Sequence, residues 1–186
     1  MSETEHMKLL GDTLINSSEL GDIDKLLMVN GCIRTSTGKY IDFNNIHPSD
    51  ICIEDIAHSL SMQCRFGGHL PVFYSVAQHS VHCSQLVDEE YAFEALMHDA
   101  SEAYMLDIPK PLKNLLPDYE RLEDKMMGII SDKYGIDHPL NPPTKEVDAL
   151  MLKLEFKSIM MGRNLFEVWD IEESKKRFLE RYKELT

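Results

Sequence analysis

The sharpest chemical feature of the chain is His98-Asp99, set within the largely apolar run EALMHDASEAY. A histidine and an aspartate between Leu96-Met97 and Ala100 are expected to be partly buried, and buried groups of this kind need a partner. A divalent cation serves both at once. His79, in SVAQHSVHC, falls one predicted helix upstream, and Asp148, in KEVDALMLKLE, falls far downstream in another apolar helical stretch. Two imidazoles and two carboxylates form a mixed nitrogen and oxygen donor set. Such a set suits Mn, Co, Fe or Zn better than a soft metal and leaves positions for water and a phosphoryl oxygen. Each residue alone has an ordinary alternative. A lone buried histidine is more often satisfied within a core, His82 stands one turn from His79 and could pair with it, and Asp148 could be a surface acid. Only the joint pattern favours a metal.

Other candidates surround this set. Glu102 follows His98 by four residues and Asp99 by three, so on a continuous helix the three share one face. A carboxylate just beyond a metal pair is where a general base or proton shuttle sits, although a solvent-facing glutamate is an equal alternative. Asp107 precedes Ile108-Pro109 in a loop stiffened by two prolines, which then delivers Lys110 and Lys113. Either ammonium could meet a phosphate, solvated lysines being the commoner outcome. Arg65 and His69 lie in RFGGHLPVFY, where Gly67-Gly68 would let the backbone approach a ligand and a guanidinium could grip a phosphate. Phe66 and Phe73 flank that loop and could stack on a base or ribose, with core packing the safer assignment for Phe73. The chain has neither GxGxxG nor GxxxxGK[ST], which leaves Rossmann and Walker-type nucleotide binding unsupported.

The elements that must position these residues read as almost wholly helical beyond residue 50. A hairpin or irregular arm is predicted over 29–45, then helices from Ile51 to Met62, Ser75 to Leu86, Tyr91 to Tyr104 and Asp118 to Tyr134. Thr144 is expected to cap a helix running to Met161, and a charged amphipathic helix closes the chain from Asp170 to Glu184. Arg65–Tyr74 and Asp107–Leu112 read as loops. The expected architecture is an all-α bundle of six or more helices over residues 28–186, preceded by an acidic extension over 1–27.

Bulk composition narrows the function. A net charge of −13 argues against a nucleic-acid polymer as partner, because polymer binding needs an extended basic surface. A small phosphorylated ligand needs only a few local cations or a metal. Four cysteines without CxxC spacing read as free thiols of a reducing compartment. No apolar run reaches the ~18 residues of a membrane span, and the N-terminus lacks a secretory pattern, so a cytoplasmic location is expected.

His79, then HDASEAY, then Asp148 ahead of LMLKLE resembles the H…HD…D signature of the HD-domain superfamily of metal-dependent phosphohydrolases. Within it, HDASEAYMLDIPKPLK and RFGGHLPVFYSVAQHS are most similar to the bacterial and phage 5′-deoxynucleotidase-like branch, and the likeness spans about Cys32 to Met161. The resemblance implies a helical HD-domain bundle, and a divalent metal ion (Mn, Co, Zn, Fe or Mg) held by His79, His98, Asp99 and Asp148. It implies Glu102 and Asp107 as the acidic pair that orients water and protonates the leaving group, and Arg65 as a phosphate contact. Departures fall at Gln78, where many relatives carry Glu, and at Phe66, where the nucleotidases carry Trp. The substrate loop is also about one residue shorter. These leave the metal chemistry in place and bear on base and sugar selectivity. Two activities follow: hydrolysis of a deoxynucleoside 5′-monophosphate to nucleoside and phosphate, or, as in some viral relatives, removal of triphosphate from a dNTP such as dATP. A non-catalytic nucleotide-binding module is a third reading, against which the intact acid set argues. Family members often form dimers or larger assemblies, so a homo-oligomer is a further expectation.

Overall fold

Gly38 takes a positive φ of 88° at the tip of a short antiparallel hairpin, as the glycine-bearing segment 29–45 predicts. The computed structural model describes residues 31–186 and, nearer the N-terminus, the backbones of two paired strands, His6–Lys8 (β1) and Leu14–Asn16 (β2). The extension expected over 1–27 otherwise lies outside the described residues. The hairpin itself is Cys32–Arg34 (β3) and Tyr40–Asp42 (β4), with Ile33 opposite Ile41. Its turn is tied to the first helix through Asp55, which accepts hydrogen bonds from Ser36 Oγ (2.6 Å) and Thr37 N (2.8 Å).

All other regular structure among the described residues is helical: an all-α bundle with a marginal β element. Helix α1 is Ile53–Met62 and α2 is Val76–Leu86, the latter capped by Ser75 Oγ, which accepts from Gln78 N. Helices α3 (Ala92–Met97), α4 (Glu102–Met105) and α5 (Lys110–Lys113) are short. Helix α6 is Pro117–Tyr134, α7 is Pro142–Glu155 and α8 is Ile171–Leu185, capped by Asp170. Ile56, Leu60, Val76, Val81, Leu96 and Phe178 are buried in one core, and they bring α1, α2 and α8 together, with α3 packed on α2. No described helix is long and apolar enough to cross a membrane.

Four sequence expectations need correction. The helix predicted from Tyr91 to Tyr104 is broken at His98–Ser101, where bonds tighten to i→i+3: Ala100 N to Met97 O, Glu102 N to Asp99 O and Tyr104 N to Ser101 O. Within the break Ala95 O takes the His98 Nδ1 hydrogen at 2.8 Å, and just after it Ser59 Oγ donates to Ala103 O at 2.6 Å and Gln63 Nε2 to Glu102 O at 2.9 Å. Thr144 is not a helix cap. Pro142, with its φ already suited to a first turn, starts α7 after Asn141, and the buried Thr144 hydroxyl donates to Glu94 Oε1 instead. The same helix stops at Glu155 and passes into a π-turn, Phe156–Met160, rather than running on regularly to Met161. Within the predicted loop Asp107–Leu112, a single helical turn begins at Lys110.

Candidate metal centre and cleft

Three segments deliver the four expected ligands. His79 lies on the fully buried face of α2, His98 and Asp99 occupy the tightened break after α3, and Asp148 projects from the middle of α7. The structure brings all four together. His79 Nε2 lies 3.2 Å from His98 Nε2 and 3.2 Å from Asp148 Oδ1, and His98 Nε2 lies 3.2 Å from Asp99 Oδ2. The remaining histidine–carboxylate separations are 3.7 Å (His79 to Asp99) and 3.9 Å (His98 to Asp148). Two donors held about 2.1 Å from one ion would stand about 3.0 Å apart at a right angle and about 3.4 Å apart at the tetrahedral angle. Three of the five observed edges fall in that range, and the 3.7 and 3.9 Å edges are wider than a single ion would set.

The ring tautomers sharpen the fit. His98 Nδ1 lies 2.8 Å from Ala95 O, and His79 Nδ1 lies 2.5 Å from Glu155 Oε1. A carbonyl and a carboxylate can only accept, so each Nδ1 carries the hydrogen and each Nε2 presents a lone pair when the ring is neutral. Two lone pairs and two carboxylate oxygens converging on one point require a cation or captured protons. Without a cation, protons are captured. Burial works against charge on His98, but the Asp99 carboxylate beside it raises its pKa to about 9. Burial and Arg65 likewise oppose protonation of His79, which Cys83, Glu155 and Asp148 nevertheless hold well above the ordinary imidazole value. Burial would raise Asp99 and Asp148, yet the neighbouring histidines keep both below the usual carboxylate range.

Glu155 is the residue that sequence reasoning missed. Wholly buried at the end of α7, it accepts from His79 Nδ1 through one oxygen and from Arg65 Nε (3.1 Å) through the other. Its signal was available, because Glu155 follows Asp148 by seven residues, two helical turns, and so shares its face. Arg65 is buried with it, and its NH1 also reaches Asp99 Oδ2 at 3.5 Å. The guanidinium thus braces two carboxylates of the centre. Cys83 Sγ stands 3.5 Å from His79 Nε2 and 3.9 Å from Nδ1. Cys83 Sγ, His79 and His98 offer donor atoms that all lie within 4.8 Å of one another, so the thiol is a further candidate ligand beside the two imidazoles. His82 does not pair with His79 in the centre. It packs edge-on against Phe166 and Trp169, and burial pushes its pKa down to about 4.

A cleft of about 430 Å³ opens beside the centre, with His98, Asp99 and Glu102 on its inner wall. Glu102 is buried, and its Oε2 has no hydrogen-bond partner among the described residues. Burial, then the charges of Asp99 and Asp107, raise its pKa well above the ordinary carboxyl value. Asp107 is half-buried, and burial together with the Asp99 charge raises its pKa despite the pull of Arg65. Lys113 ammonium lies 2.7 Å from Glu123 and 3.6 Å from Glu102. Lys110 is exposed, 3.7 Å from Glu120. Both lysines line the cleft, as does Lys145 on the first turn of α7, which nothing in its sequence context singles out. Arg65, Phe66, His69 and Asp107 lie outside these walls. Phe66 is half-buried at a positive φ of 58°, and His69 is exposed, its N–H bonded to Phe66 O. Their loop stands against the proline loop, since a Cβ added at Gly67 would meet Pro109 Cγ at 3.4 Å.

Similarity to known proteins places the chain. The uncharacterized protein YfdR of Escherichia coli strain K12 is 52% identical over 141 residues, which cover 76% of this chain and 78% of that protein. The chain belongs to the YfdR family. The uncharacterized protein RCAP_rcc00048 of Rhodobacter capsulatus is 31% identical to this family member over 140 residues, covering 68% of the chain and 71% of that relative. No family model matches the chain.

Proposed function

We propose that this YfdR-family chain is a metal-dependent phosphohydrolase of the HD-domain type that cleaves a phosphate ester of a small deoxynucleotide. The observation carrying this reading is the convergence of His79 Nε2, His98 Nε2, Asp99 Oδ2 and Asp148 Oδ1, with neighbouring separations of 3.2 to 3.9 Å, beside an orphaned Glu102 oxygen. A divalent ion held by those four residues would supply Lewis acidity at a phosphoryl oxygen and make a water acidic enough to attack at neutral pH. Glu102, one of whose oxygens has no hydrogen-bond partner among the described residues, would carry the proton of that attack. Asp107, its pKa also raised, is the second proton carrier and serves the leaving oxygen. Arg65 and Glu155 hold the ligands in register, and Arg65 turns toward substrate only through the part of its guanidinium those carboxylates leave free. Lys110, Lys113 and Lys145 provide the positive charge of the cleft.

Three lysines along one cleft also favour a second reading, in which a longer phosphate chain is bound and tripolyphosphate leaves a dNTP intact. Product analysis separates the two. Metal-stripped protein is supplied with Mn²⁺, Co²⁺, Mg²⁺ or Zn²⁺ and with each dNMP, NMP and dNTP, and orthophosphate is resolved from tripolyphosphate by chromatography. Orthophosphate from dNMPs is the expected result, and tripolyphosphate with free deoxynucleoside would assign the second activity. Neither product with any metal would overturn the enzymatic reading.

A further inference from the structure

We infer that Gln63 is a positioning residue, whose side-chain amide clamps a strained turn at Leu106 and so fixes the main chain of Glu102 and of Asp107 relative to each other. The inference rests on the acid roles proposed above. Gln63 follows the last residue of α1, and its amide makes three bonds. Nε2 donates to Glu102 O (2.9 Å) and to Ser59 Oγ (3.0 Å), and Oε1 accepts from Asp107 N (2.9 Å). One planar group therefore holds the main chain of both acids. Its own carbonyl accepts from Val76 N at 3.2 Å, which ties the start of the His79 helix to the same point.

The clamp has something to hold. Leu106 adopts φ 75°, ψ 148°, a conformation that a residue with a Cβ rarely takes. Its side chain is 63% exposed, so burial does not compensate. The turn is instead fixed by its backbone bonds: Leu106 N donates to Glu102 O at 2.8 Å, and Tyr119 Oη lies 2.7 Å from Leu106 O. Strain of this kind persists where surrounding contacts over-determine it, and it is concentrated at functional sites. Released from Gln63, the turn would relax toward negative φ and carry Asp107 away from Glu102. Glutamine suits the position because the two acids offer an acceptor and a donor, C=O and N–H, which a neutral amide satisfies together.

The test compares Gln63→Met, which keeps shape and loses all three bonds, with the double variant Gln63→Met/Leu106→Gly, in which glycine tolerates the turn unclamped. Turnover of the deoxynucleotide that the wild type hydrolyses best, Mn²⁺ affinity and amide exchange at residues 106–107 are measured. Gln63→Met is expected to lower kcat by about tenfold or more with KM and Mn²⁺ affinity within about threefold, because a small misplacement of an acid has that effect on turnover. Asp107 N–H is expected to lose protection, and Leu106→Gly is expected to restore part of the lost kcat. Unchanged kcat and protection in Gln63→Met would overturn the clamp, as would a parallel fall of kcat and Mn²⁺ affinity, which marks a merely structural role. An inactive wild type in which Gln63→Met still deprotects Asp107 would count against the phosphohydrolase reading and leave the clamp standing.

Discussion

His79 and His98 each commit Nδ1 to an acceptor, Glu155 and Ala95 respectively, and so present Nε2 to the same point. That arrangement makes cation binding a competition with protons. In the stripped protein the His98 pKa is raised to about 9 and that of His79 is raised well above its ordinary value, so protons compete with a cation for these nitrogens. A cation must displace those protons, and raised pKa values mean that displacement becomes easier as pH rises toward 9. The Mn²⁺ dissociation constant is therefore expected to fall between pH 6 and 9, by about tenfold per pH unit for each proton released. Calorimetric titration at three pH values checks this, and a pH-independent constant would contradict it. Two neighbouring glutamates should separate cleanly by role. Glu155→Gln is expected to weaken Mn²⁺ by about 10- to 100-fold, since it removes the anion behind His79. Glu102→Gln is expected to leave Mn²⁺ affinity nearly intact and to lower turnover by about 100-fold or more.

At the scale of elements, the aim of α7 decides whether Asp148 reaches the histidines. Buried Glu94 on α3 accepts from Asn141 N (2.8 Å), Asn141 Nδ2 (2.9 Å) and Thr144 Oγ1, and so anchors the first turn of α7. Glu94→Ala is expected to destabilise the fold by about 2–4 kcal/mol, because it leaves buried donors unpaired. Thermal unfolding measures this, and a loss below about 0.5 kcal/mol, usual for a surface change, would contradict the anchoring role. The same contact explains what could be read in advance. His79, His98, Asp99 and Asp148 were legible because polar groups interrupt apolar helical spacing. The Thr144 cap was misread because its hydroxyl answers to Glu94, 50 positions away. The break at His98 shows in no helix-breaking residue of its own, and Ser59 and Gln63 of the α1 segment then bond the carbonyls that follow it. Local pattern reports helix periodicity and caps. It does not report which distant side chain takes a carbonyl, and Glu155, 76 positions from His79, was lost in the same way.

Taken as a whole, the molecule carries a net charge of −13, yet Lys110, Lys113 and Lys145 line one cleft, and Arg65 is buried against the adjoining centre. Acidic surface elsewhere disfavours polymers, and because Asp99, Glu102, Glu120, Glu123 and Asp124 line the same cleft, a small anion there needs the metal as well as these lysines. A ligand that binds only the folded state stabilises it, by about 2.7 kcal/mol at a free concentration of 100 times its dissociation constant. The metal centre should therefore govern the stability of the whole chain as well as its chemistry. The most direct measurement is a Mn²⁺ titration of chelator-stripped wild-type protein and Asp99→Ala, followed by heat capacity and thermal unfolding at saturation. The expected result is a single site per chain whose occupancy raises the melting temperature, with both effects lost in Asp99→Ala while its helical content survives. Absence of binding in the wild type, or undiminished binding in Asp99→Ala, would contradict the metal centre on which the proposed function stands.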